Sequence, residues 1–217
     1  MLALVAPGIC TTHAQIITGF GDIVNWTGTG AYQAALVVDF HDGTSKQSFV
    51  WGYRWDGKAT GYDMLTAISS LTTMGLTVDN PSYVTLMSYT ESGITHSQDA
   101  YDPSYTNSMW GYWIAGGTAR QYDSNPPYGQ IGTLSAPGGG SAFPVTWTVS
   151  PSGTGTRFLT DGSWDAFSFG TYDLSTYVAQ VPPGATSYAA IPEPSALPLI
   201  LLGIGTLLYA RKRLHAC

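Results

Sequence analysis

The sequence predicts an α+β fold rich in strands: an antiparallel sheet with one main helix, followed by a C-terminal transmembrane helix. Three observations predict it. Short β-branched and aromatic runs recur between turns rich in Gly, Pro and Asp, the pattern of successive strands. Residues 62–71 place Met64, Leu65, Ile68 and Leu71 at a helical spacing. Residues 196–210 form an uncharged apolar run closed by Arg211, Lys212 and Arg213. An all-β sandwich is the alternative for the body.

The strongest strand signal spans residues 35–55. A β-branched run ending at Phe40 is followed by His41-Asp42-Gly43-Thr44, whose Asp-Gly step suits a turn with positive φ. The return run alternates, with Phe49, Trp51, Tyr53 and Trp55 on one face and Val50, Gly52 and Arg54 on the other. This is a hairpin. The helix over residues 62–71 then lies across it, with Asp63 near its N-terminus, where a negative charge suits the dipole. Further strands are expected at 23–26, 83–89, 109–115, 145–149 and 164–170, with residues 156–159 pairing back on the 145–149 strand. In the 164–170 strand Trp164, Ala166 and Ser168 alternate against Asp165, Phe167 and Phe169. Residues 91–107 and 121–141 are polar, Gly-rich or Pro-rich and read as surface loops, and 181–191 as a Pro-bearing linker.

Charged residues make up 10% of the 217 residues, against roughly 25% in average soluble proteins. The body, residues 15–180, is acidic with scattered bases, which argues against nucleic acid as a partner, since that needs a basic stripe. Both cysteines, Cys10 and Cys217, lie outside it. A thiol nucleophile, a Cys-ligated zinc and an iron–sulfur cluster are therefore excluded from the body. Residues 1–14 are apolar, then end in small residues at Thr12 and Ala14, like a secretory signal peptide cut between Ala14 and Gln15. No basic residue precedes the apolar stretch, so this reads as a truncated signal peptide.

The C-terminal segment, residues 192–213, has three parts in order. Pro192-Glu193-Pro194 is rigid and extended, because proline fixes φ and disfavours the helical region in the residue before it. The apolar run follows, 15 residues where a span usually takes about 17–25. The basic Arg211-Lys212-Arg213 then places the C-terminus on the cytoplasmic side. This triple resembles the PEP-CTERM sorting signal of Gram-negative bacteria. The resemblance implies an exosortase-type membrane protease as partner and transient residence in the inner membrane. It also implies final placement in the envelope or extracellular matrix, with exopolysaccharide genes in the same genome.

A second, shorter resemblance concerns the body. Residues 110–117 and 161–169 are similar to the last strands of the β-grasp-like C-terminal domain of transcobalamin-type proteins. This chain departs from that pattern at Trp164 and Asp165 and in carrying extra loops. The resemblance implies a β-grasp-like sheet and small-molecule binding.

No catalytic motif is present: there is no HExxH, GxSxG, Walker loop or placed GxGxxG. Asp161 and Asp165 form a conceivable glycosidase pair, although Asp161-Gly162 reads better as a turn. Asp39-x-His41-Asp42 is a conceivable metal corner that reads better as solvated turn residues, and no calcium-loop spacing occurs around Asp42, Asp56 or Asp63. No cofactor or metal is expected. Trp51, Tyr53, Trp55, Trp110, Tyr112 and Trp113 remain as candidate ligand-binding residues, by stacking on sugar rings or other small ligands. The competing reading is that these aromatic stripes fill the core. The expected function is a noncatalytic exported protein whose body binds carbohydrate or a small ligand. The alternative is an envelope hydrolase using Asp161, Asp165 or His41.

Overall fold

The computed structural model describes residues 15–80, 83–103, 107–122, 130–173 and 178–190. Fourteen strands and one α-helix form three sheets among them. The central sheet is mixed. Its strands are β1 (Trp26–Gly28), β2 (Tyr32–Asp39), β3 (Ser48–Trp55), β7 (Ser108–Ala115), β10 (Thr148–Val149) and β12 (Ser163–Asp173), in the order β1-β3-β2-β12-β7-β10. The hairpin β2–β3 is antiparallel, with Leu36 opposite Trp51. β12 runs parallel to β2 on one side and antiparallel to β7 on the other. The two hairpin-like pairs thus meet through parallel inner strands. Short strands β13 (Val178–Ala179) and β14 (Tyr188–Ala189) pair with β12 and β3.

Both faces of this sheet are buried. On one face Leu36, Val38, Phe49, Trp51, Trp110 and Phe167 pack under α1 (Gly61–Leu71) and a second sheet. That sheet is the meander β4 (Gly75–Asn80), β5 (Tyr83–Glu91) and β6 (Ile94–Asp99). On the other face Ala35, Val37, Val50, Trp113, Trp164 and Ala166 pack under Ile17, Phe20 and Ile23 of the N-terminal segment. A third sheet, β9 (Gln130–Ser135), β8 (Thr118–Tyr122) and β11 (Arg157–Phe158), encloses Ile114 and Ala119.

The helix starts where a capping box allows it. Thr60 accepts from the Asp63 N–H, and the Asp63 carboxylate accepts from the Thr60 N–H. Met64, Leu65 and Ile68 are fully buried, as the spacing predicts. Leu71 is not: it ends the helix 69% exposed.

Several expected loops are strands. Ser92 and Gly93, both at positive φ, make a tight turn that sends β6 back along β5. β6 escapes a hydropathy reading because its inward residues are His96 and Gln98. β8 and β9 pair across residues expected as loop. The expected 145–149 strand shrinks to β10, and Val145 stands fully exposed. β11 pairs with β8 rather than with residues 145–149. The expected first strand shifts to β1. Residues 181–190, expected as a linker, instead lie on the domain: β14 pairs with β3 and the Ala190 N–H donates to the Val50 carbonyl.

Candidate functional site

A cleft of about 240 Å³ runs along the edge of β7. Its origin is local. β10 pairs only with Ile114 and Trp113, and the Ser150 N–H then donates to the Tyr112 carbonyl at 2.9 Å. Pro151 follows with no N–H to offer, so the added strand stops there. Residues 108–111 keep one side without a strand among the described residues. Met109, Trp110, Tyr112 and Tyr172 supply apolar walls, and Ser150 and Ser152 supply polar ones. One buried polar atom of its lining, Ser152 Oγ, has no hydrogen-bond partner among the described residues. Gly111 makes the close approach possible. A Cβ there would lie 2.9 Å from Trp113 Nε1 and 2.5 Å from the Ala179 Cβ.

The aromatic candidates are core residues first. Trp51, Trp55, Trp110 and Trp113 are between 0% and 7% exposed. Trp51 meets Tyr89 edge-on at 5.0 Å, and Tyr53 stacks on Trp55 at 5.5 Å. The four tryptophan rings form no open stacking platform, because both sheet faces are covered, while Tyr53 and Tyr112 are half-buried against the same core. Trp110 and Tyr112 alone among the six also line the β7 cleft.

Asp161 and Asp165 do not face each other across a site. Asp161 sits on an exposed turn and accepts from the Gln33 N–H at 3.0 Å. Asp165 is fully buried. Arg157, equally buried, donates to its Oδ1 through Nε at 3.1 Å and Nη2 at 2.9 Å. The remaining guanidinium donors reach the carbonyls of Gly116, Thr118 and Phe158. The Tyr112 hydroxyl donates to Asp165 Oδ2. Burial pushes the Asp165 carboxyl up, against the pull of Arg157. Burial, with the Asp165 charge, puts the Tyr112 hydroxyl well above its ordinary range. Sequence reasoning missed Arg157, because an arginine eight residues from its partner carries no local signal.

His41 stands at the hairpin end with φ of 46°. Its Nε2 lies 3.1 Å from Ser168 Oγ and 3.3 Å from Asp39 Oδ2. Both contacts use the same nitrogen, so the three residues do not form the relay in which one ring nitrogen faces the nucleophile and the other the acid. Asp42 turns away to His96, whose Nδ1 is 2.6 Å from its Oδ2. His96 is buried between Phe40 and Phe49. Burial alone would raise the Asp42 carboxyl, but bonds from Thr44 and His96 outweigh it and hold it below its ordinary value. No group of three or more metal-ligating side chains occurs among the described residues.

Pro192, Glu193, Pro194, Arg211, Lys212, Arg213 and Ala14 lie outside the described residues, while Gln15 is exposed at their N-terminal edge. No described helix is long and apolar enough to cross a membrane. No family model, curated protein or solved structure matches the chain.

Proposed function

We propose that the chain is an exported envelope or matrix protein, sorted through its C-terminal segment by an exosortase-type protease, with a noncatalytic body that binds a small saccharide-like ligand. The observation that carries the sorting is the ordered triple of Pro192-Glu193-Pro194, an apolar run and Arg211-Lys212-Arg213. The β7 cleft supports the binding role. Its size is below the roughly 300–1,000 Å³ of drug-sized pockets, which fits a single ring. Aromatic walls with a few convergent polar atoms suit a sugar's apolar face and hydroxyl edge. The arrangement of β2, β3, α1, β7 and β12 supports a β-grasp-like reading of the core. A hairpin leads into a helix, and β12 returns parallel to β2, between that hairpin and β7.

The hydrolase alternative draws nothing from the geometry. Asp165 is held by Arg157, Asp161 accepts from the Gln33 N–H, and His41 meets its serine and its acid through one and the same nitrogen.

The test is processing in a Gram-negative host that carries an exosortase. The wild-type chain should be shortened and leave the inner membrane, while Glu193→Ala should accumulate at full length in it. Intact wild-type protein in the soluble cytosolic fraction would refute the sorting. Glycan-array binding by the full chain, abolished by the cleft-filling Ser152→Tyr, tests the body; a silent array refutes the binding role.

A further inference from the structure

A polar row crosses the otherwise apolar second face of the central sheet. Strand pairing sets Ser48, Asp39, Ser168 and Gly111 side by side across β3, β2, β12 and β7. Alternation puts all four on the face of Val50, Val37, Ala166 and Trp113. Residues 178–190 lie across this row. Ala179 sits against Gly111, the Gly184 N–H donates to Asp39 Oδ2 at 2.8 Å, and the Ser187 and Ser48 hydroxyls meet at 2.7 Å. With strands about 4.8 Å apart, Asp39 lies roughly 10 Å from Gly111. The crossing segment therefore separates the β7 cleft, lined by Ala179, from a second cavity at its other end.

This second cavity is about 250 Å³ and is lined by Asp39, Gln47, Thr186 and Tyr188, among others. Asp39 is its one carboxylate, and it is 1% exposed. Its Oδ2 has two partners, the Gly184 N–H and His41 Nε2. Among the described residues its Oδ1 receives only the His41 N–H at 3.4 Å, beyond the usual N–H···O range of about 2.7–3.2 Å. A carboxylate has about four lone-pair sites, so acceptor capacity is left over beside the cavity. Burial pushes the Asp39 carboxyl up, as expected of a carboxylate with too few donors. Gln47 adds an amide and Thr186 a hydroxyl. Tyr188 adds a ring, with the Lys46 ammonium 5.8 Å from its centroid. An anionic ligand would meet Asp39, and a cationic one would meet Lys46. A neutral molecule with several hydroxyl groups satisfies the acceptors and donors together.

We propose that this cavity is a second binding site, for a small neutral polyol such as one sugar ring, with Asp39 as its principal hydrogen-bond acceptor. It is separate from the β7 cleft, so the two stand or fall independently.

Saturation-transfer NMR on the full chain in detergent micelles tests it. The probes are glucose, galactose, mannose and N-acetylglucosamine, with arginine and glucuronate as charged controls. At least one neutral sugar should bind with Kd in the millimolar range. Asp39→Asn should weaken it about tenfold, the energy of roughly one hydrogen bond to a charged group. Gln47→Ala and Thr186→Val, which leave the buried carboxylate in place, should weaken it several-fold and keep the inference testable if Asp39→Asn misfolds. Ser152→Tyr should leave it unchanged. The inference is overturned if no neutral sugar binds, if only arginine or glucuronate binds, or if Gln47→Ala and Thr186→Val both bind as wild type. Loss in Ser152→Tyr alone would seat the sugar in the β7 cleft and likewise overturn this site.

Discussion

Asp165 and Asp39 are both buried acids on the central sheet, on strands that pair with each other, yet they face opposite sides and are treated oppositely. On the helix-covered side, Asp165 has a guanidinium of its own, whose remaining donors end on backbone carbonyls, and a tyrosine hydroxyl besides. On the other side, Asp39 has one good backbone donor, an imidazole at 3.3 Å and a cavity beside it. A saturated buried charge ties elements together, here β12 to β7 and to the turn after it. An unsaturated one beside a cavity is a place for something else to bind. The difference separates a structural acid from a recognition acid without any appeal to sequence motif.

The largest expected effect breaks the saturated side. Arg157→Met leaves Asp165 buried without its cation and should cost about 3–5 kcal/mol of unfolding free energy. The double variant Arg157→Met with Asp165→Leu removes both charges and should recover much of that loss, since a buried pair is often replaceable by apolar groups. Denaturant titration of the single and double variants checks this. Equal losses in both would mean that packing, not charge, is the cause.

A smaller effect concerns the clasp that holds the hairpin end to β6. Asp42→Asn weakens the contact to the buried His96 and should cost about 1–3 kcal/mol at neutral pH. The sign of its pH dependence follows from the lowered Asp42 pKa. The native state holds fewer protons there than the unfolded state, whose value is near 3.8, so stability rises with pH through that window. The gap between wild type and Asp42→Asn should therefore be full above about pH 4 and close as pH falls through the native pKa. Thermal melts across pH 2–7 measure it, and a gap that stays constant contradicts the clasp.

This clasp also shows where sequence reading ends. The β2–β3 hairpin, the helix and the alternation of β12 were legible, because apolar periodicity there coincides with burial. β6 was not, because its inward residues are polar and are satisfied at long range: His96 by Asp42, and the Gln98 amide by the Phe40 carbonyl at 2.9 Å. Hydropathy sees a loop where the fold has a strand. The aromatic stripes were legible as strands but not as core, since alternation alone does not say what covers a face, and the cleft beside them was not legible at all. It depends on β10 stopping at Pro151, beside a strand nearly forty residues earlier in the chain. Asp39 carried an unread signal: it falls in step with Ala35 and Val37, so an acid was due to point where the apolar residues point.

The smallest effect sharpens the comparison from the Asp39 side. Burial raises its pKa, opposed by the Gly184 N–H and by His41, while Asp42 on the same loop adds to the rise. The native state then keeps a proton that the unfolded chain has already released. Stability falls as pH rises from about 3.8 through the native value. Asp39→Asn has no proton to lose, so it should flatten that part of the stability–pH curve. At neutral pH it should be within about 1 kcal/mol of wild type, because Asn can still accept from the Gly184 N–H. Asp165→Asn should instead cost stability at neutral pH, because its amide no longer offers the Arg157 guanidinium a charged acceptor. If Asp39→Asn proves as damaging as Arg157→Met, then Asp39 is a structural acid too, and the contrast between the two faces disappears.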